Sequence, residues 1–129
     1  MVGYDTTGTT MSYILYELAL NQDCQETLFE EIETAKNASD LGYDTLQSLP
    51  YLDAVVHETL RRHPIAPFLE RACSKDYKLP NTNLVLKKGD LIRINNIGIS
   101  SDPDVFPEPE RWNPDNFLKE SRSQRSPYS

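Results

Sequence analysis

The stretch Ser48-Leu49-Pro50-Tyr51-Leu52-Asp53-Ala54-Val55-Val56-His57-Glu58-Thr59-Leu60-Arg61-Arg62-His63-Pro64 reads as one helix with its own start and stop signals. Leu49, Leu52, Val56 and Leu60 recur at helical spacing, with Val55 beside them, and predict a helix from near Leu49 to Arg62. Ser48 is available as a cap, and Pro50 is tolerated in the first turn, where its missing amide has no partner to lose. Pro64 ends the helix by restricting His63 and withholding an amide hydrogen. Inside it, Glu58 and Arg61 stand three apart and can meet on one face, with Arg62 competing from i+4. Taken alone, that spacing describes a solvated ion pair worth little. The sharper alternative is a partly buried pair locked by a third group, which serves geometry more than stability because burial strips both ions of water.

Upstream, Met11, Ile14, Leu15 and Leu18 form the apolar face of a helix running to about Leu20. Just before it, Asp5-Thr6-Thr7-Gly8-Thr9-Thr10 is rich in residues that weaken helices, so the local expectation is a ragged cap at Asp5 and Thr6. The alternative is a continuing helix whose polar interruption faces a site. A second helix is expected from Asp23 or Cys24 to Lys36. Cys24, Leu28, Ile32 and Ala35 would point inward, with Glu26, Glu30, Glu31 and Glu33 on the wet side. Asn37 to Gly42 interrupts the pattern.

Downstream of Pro64 the character changes. Phe68 to Ser74 reads as extended, and Asp76 to Asn83 as turns. Leu84–Leu86, Lys87–Asp90 and Leu91–Ile94 read as strand, turn and strand, with Gly89 suited to a conformation that a side chain disfavours. Prolines 103, 107, 109 and 114 rule out a long helix or regular strand there, and Pro127 adds a break beyond the Ser/Arg-rich run 121–126. Residues 1–62 are thus predominantly helical, and 63–129 are short strands, turns and an irregular meander. Three helices followed by edge-like strands leave apolar faces that need neighbours, as in a piece of a larger domain.

Composition narrows the function. The chain has 129 residues, 38% of them hydrophobic, and a net charge of −7. Residues 1–62 hold 3 basic and 11 acidic side chains, against 10 and 9 in the remainder. With no basic stripe, nucleic acid is excluded as a partner. Cys24 and Cys73 give neither a disulfide framework nor metal-ligand spacing and read as reduced thiols. There is no run of about 20 apolar residues to span a bilayer and no readable secretory signal. HExxH, phosphate-loop and dinucleotide motifs are absent. Asp5 and Thr6 can accept and donate protons but need an electrophile to form a mechanism. An acid–base hydrolase using Asp5, His57 and Glu58 is one alternative, and a truncated, noncatalytic interaction module is another.

In order and separation, several segments together resemble the cytochrome P450 family, in the microsomal form found among insect and vertebrate detoxifying enzymes. Val2-Gly3-Tyr4-Asp5-Thr6-Thr7 resembles the family's Ala-Gly-x-Asp/Glu-Thr stretch in its long central helix, and Glu58-Thr59-Leu60-Arg61 its Glu-x-x-Arg signature. Pro67 to Arg71 and Ile97 to Pro103 resemble the segments that follow, and Pro109 to Phe117 the meander before the haem loop. Val2 stands where a small alanine is usual, and Ser100 where a histidine is frequent. Asn116 stands where an arginine completes the Glu/Arg network, if Pro114-Asp115-Asn116-Phe117 is aligned on the family's Pro-Glu-Arg-Phe. Arg111, in Pro109-Glu110-Arg111-Trp112, is the competing candidate.

The resemblance implies a mainly α fold with small β elements, residues 1–129 being part of a cytochrome P450 domain. It implies a haem-thiolate monooxygenase acting with dioxygen on an apolar small molecule, with haem b as cofactor and electrons from NADPH through NADPH-cytochrome P450 reductase. By position, Asp5 and Thr6 resemble the acid and hydroxyl that steer protons during catalysis, and Gly3 the residue that keeps the helix close to haem. Arg71 resembles the arginine on a haem propionate, and Glu58 and Arg61 the structural brace. The axial cysteine is expected beyond Ser129, since neither Cys24 nor Cys73 matches it, and no metal ligand is assigned here. The parent is expected on the cytosolic face of the endoplasmic reticulum membrane, held by an upstream anchor, and this chain by itself is expected to be inactive.

Overall fold

The polar opening of the chain does not stop the first helix. The computed structural model describes residues 2–38 and 40–119, and in it α1 runs unbroken over Val2–Leu20. The ragged cap expected at Asp5 and Thr6 is therefore corrected, and the alternative, a continuing helix, is what forms. The polar residues are absorbed by bonding back along their own helix. Thr10 Oγ1 donates to the Thr6 carbonyl at 2.9 Å, and Ser12 Oγ to the Gly8 carbonyl at 2.8 Å. The expected apolar face is half right: Leu18 is buried and Ile14 half-buried, but Met11 is 58% exposed and Leu15 68%.

Helix α2 spans Gln22–Ala38 and turns Leu28 into the core, with Cys24, Ile32 and Ala35 half-buried beside it. A short helix absent from the sequence expectation, α3 at Tyr43–Gln47, bridges to α4 at Pro50–Arg62. The buried residues of α4 are Ala54, Val55, Glu58, Thr59 and Arg61, whereas Leu60 of the expected row is exposed. A face carrying an ion pair is thus the inner one. Leu18, Leu28, Val55 and Trp112 form the core, flanked by Ile14, Cys24, Ile32, Tyr51 and Leu52.

Beyond Pro64 come four short strands: β1 at Phe68–Ala72, β2 at Tyr77–Lys78, β3 at Val85–Leu86 and β4 at Leu91–Asn95. The expected strand, turn and strand form, but β3 and β4 do not pair with each other. Two antiparallel pairs are nested instead, β2 with β3 inside and β1 with β4 outside. In the outer pair Phe68 faces Asn95 and Ala72 faces Leu91. Glu70 lies directly opposite Arg93, whose Nε donates to Glu70 Oε1 at 2.8 Å. The ladder continues past the strand ends, since Cys73 N–H donates to the Asp90 carbonyl and Gly89 N–H to the Cys73 carbonyl, both at 2.8 Å. Gly89 has φ +95°, a conformation open to glycine and strained for other residues.

After β4, α5 at Asn96–Ser100 is a second short helix the sequence expectation lacks, capped by the Asn95 side chain, which accepts from Gly98 N–H. The proline-rich remainder is irregular up to a 3-10 turn at Pro114–Phe117 that lies on α4. The Ser/Arg-rich run 121–126 and Pro127 lie outside the described residues.

Candidate functional site: a buried carboxylate–guanidinium brace

Glu58 and Arg61 sit one turn apart on the inner face of α4, with 0% and 3% of their side chains exposed. Two charges taken this far from water persist only if every polar atom finds a partner. Arg61 Nε donates to Glu58 Oε2 at 2.7 Å and Nη2 to Glu58 Oε1 at 2.8 Å, a bidentate fork. Nη1 donates to the carbonyls of Ser100 (2.7 Å) and Pro109 (2.9 Å), and Nη2 also to that of Arg111 (3.2 Å). The Phe106 ring lies under the guanidinium, 5.0 Å from Cζ to its centroid. Glu58 Oε1 accepts in addition from the Asn113 backbone N–H at 2.8 Å. Among the described residues no buried side-chain nitrogen or oxygen lacks a partner.

The third group locking the pair is therefore mostly backbone, supplied by three positions 39 to 50 residues away. Asn116 Nδ2 reaches Glu58 Oε1 only at 3.5 Å, the limit of a hydrogen bond. Arg111 contributes its carbonyl, while its exposed side chain pairs with Glu108 at 3.6 Å. Trp112 adds a neutral link, its indole Nε1 donating to Thr59 Oγ1 at 3.2 Å.

The remaining site candidates lie apart from this network. Gly3, Asp5 and Thr6 are on the first turns of α1, with Asp5 exposed and Thr6 half-buried. Arg71 is exposed on β1, where Nη1 donates to the Glu70 carbonyl at 2.8 Å. His57 pairs with Asp53 at 3.3 Å and stacks on Phe117, and Glu58 is committed to Arg61. Among the described residues no hydrogen bond or ion pair joins Asp5 to His57 or Glu58, whose partners are Asp53 and Arg61, so the hydrolase alternative is discarded.

Two further carboxylates do more than the sequence expectation assigned them. Glu31, expected on the wet face of α2, accepts from Tyr51 N–H at Oε1 (2.8 Å) and from Leu52 N–H at Oε2 (3.0 Å). Ser48 does not cap α4: Leu49 holds the cap position and makes no side-chain cap bond. Glu17, buried on α1, bonds His63 Nε2 at 2.6 Å, and Tyr13 stacks on the His63 ring at 4.1 Å. A start signal within α4 itself was legible in sequence, but a cap supplied by another helix was not.

The fit to a metal or haem follows from the donors. Among the described residues no group of three or more His, Cys, Asp or Glu is arranged around a cation site. Cys24 is half-buried near Tyr51, and burial pushes its thiol up, whereas a ligating sulfur is a thiolate. Cys73 Sγ bonds the Lys75 carbonyl at 2.9 Å. Arg71 keeps Nε and Nη2 without a protein acceptor among the described residues, which suits a carboxylate of a bound group. Neither cysteine is placed to act as the sulfur ligand of a haem.

Fold and brace together define a class: a helical scaffold in which a dry ion pair stitches an irregular segment onto a helix. The chain belongs to the cytochrome P450 family, whose model matches residues 1–129. It is 46% identical over its whole length to the probable cytochrome P450 6a13 of Drosophila melanogaster, covering 27% of that protein. Over 98% of its length it is 41% identical to cytochrome P450 6B7 of Helicoverpa armigera and 40% identical to cytochrome P450 6B1 of Papilio polyxenes, covering 26% of each. The chain thus spans about a quarter of the length of these relatives. Among the described residues, no helix is long and apolar enough to cross a membrane.

Proposed function

We propose that the protein bearing this chain is a haem-thiolate monooxygenase that oxidises an apolar organic molecule with dioxygen. The supporting observation is the Glu58–Arg61 pair, dry and fully bonded to Ser100, Pro109 and Arg111, in a chain matched end to end by the cytochrome P450 family. When bound, haem b would supply the redox chemistry, with electrons from NADPH through NADPH-cytochrome P450 reductase, so that one oxygen atom enters the substrate and the other leaves as water.

The tasks left to this chain are narrower. The exposed Asp5 carboxylate and the Thr6 hydroxyl would accept and pass protons from the first turns of α1. Gly3 would let that helix lie close to the cofactor. The unmatched donors of Arg71 would hold a propionate. Glu58 and Arg61 would keep the meander seated and so retain the cofactor, without moving protons themselves. The protein would work on the cytosolic face of the endoplasmic reticulum membrane, as the microsomal resemblance implies.

The test compares two proteins. The full-length product is expected to carry one haem and to give the thiolate-dependent absorption band of its reduced carbonyl complex. Residues 1–129 alone are expected to retain none. A full-length product without that band sinks the proposal, and stoichiometric haem in the short chain sinks the division of labour.

A further inference from the structure

Helix α4 is held at each end by a carboxylate from another helix: Glu31 takes backbone donors at its start, and Glu17 takes the His63 ring at its exit. At its start, the Leu49 N–H bonds the Leu46 carbonyl at 3.4 Å, Pro50 has no N–H, and the Asp53 N–H makes the first intrahelical bond, to Leu49. Only Tyr51 and Leu52 remain as orphan donors, and the two oxygens of Glu31 on α2 take one each. A carboxylate also suits the positive end of the helix dipole. At the other end, the last residue before Pro64 is His63, whose ring is bonded by Glu17 of α1 and stacked on Tyr13 of the same helix. Glu58 and Arg61 lie between these anchors. They must meet carbonyls of Ser100, Pro109 and Arg111 and the Asn113 N–H within 2.7–3.2 Å, which a small rotation or slide of α4 would break.

We propose that Glu31 and Glu17 are positioning residues for the Glu58–Arg61 brace. Each holds one end of α4, and together they set its rotation and register against the meander. This rests on the reading of that brace as the element that keeps the cofactor in place. Neither carboxylate touches the brace, so their influence runs through the helix as a rigid rod.

The experiment is hydrogen–deuterium exchange by mass spectrometry on the haem-loaded full-length protein. In Glu31→Gln, exchange at Tyr51 and Leu52 is expected to rise about tenfold or more, and that at Asn113 to rise with it. Glu17→Gln is expected to do the same at His63 and Asn113. The control Glu33→Gln, on the same helix but paired with Lys36, is expected to change neither. Acceleration confined to the anchored amides means a local cap and overturns the proposal. Acceleration spread equally to β1 and β4 means general loss of stability and also overturns it, as does no change. If Glu31→Gln does not fold, Glu31→Asp keeps the charge and is read at the same amides. Glu58→Gln separates the two readings. Haem retained in that variant defeats the assigned role of the brace, while the exchange results still decide whether Glu31 and Glu17 position α4.

Discussion

Arg61 has five N–H donors in a rigid fork, and five acceptors meet them: both oxygens of Glu58 and the carbonyls of Ser100, Pro109 and Arg111. Removing one partner of so dry a pair leaves an uncompensated charge. Arg61→Ala is therefore expected to destabilise the protein by about 3–5 kcal/mol. Arg61→Lys restores the charge but has three donors on one atom and cannot span a carboxylate and three carbonyls, so it should recover only part of the loss. Urea unfolding midpoints of the three proteins check this, and a lysine variant as stable as the original would show that the fork geometry is dispensable. Nothing in the i, i+3 spacing distinguishes this pair from a solvated one. Burial decides it, and burial comes from residues 39 to 50 positions away.

Among the elements, those with strong local signals formed much as their patterns indicate, and those whose partners are remote did not. The exit of α4 at Pro64 and the glycine turn at Gly89 are legible because proline and positive φ act on their own neighbours. Gly89→Ala is expected to cost about 1 kcal/mol, since no side chain crowds the position and the backbone angle alone is at fault. Faster hydrogen exchange at the Cys73–Asp90 end of the β1–β4 ladder would report it, and unchanged exchange there would contradict it. Strand pairing was not legible. The run from Leu84 to Ile94 has the look of a hairpin, yet β3 turns back to β2 and β4 reaches to β1, a choice that local propensity does not encode. Helix α1 shows the converse: its Thr-rich start is a weak helix by propensity but continues as one when hydroxyls bond their own i−4 carbonyls.

At the scale of the whole molecule, surface is the dominant fact. The accessible area is 9652 Å², whereas a compact monomer of 14.8 kDa leaves about 7,000 Å². Large apolar side chains stand exposed, among them Tyr4, Leu15, Phe29, Leu91 and Ile97, none of them packed in the core. Residues 1–129 studied alone are expected to bind a hydrophobic dye strongly and to self-associate. A monomer by light scattering with a sharp, cooperative melt would contradict this. From sequence alone came the helix-rich first half, the broken second half, the pairing distance of Glu58 and Arg61, and the family, because periodicity, prolines and motif order are properties of neighbouring residues. Tertiary structure alone decided that this pair is dry, that backbone carbonyls rather than a third side chain complete it, and that Glu31 and Glu17 anchor the helix carrying it. The reason is physical: what a charge is worth depends on which groups surround it in space, and those groups come from segments whose approach no local pattern specifies.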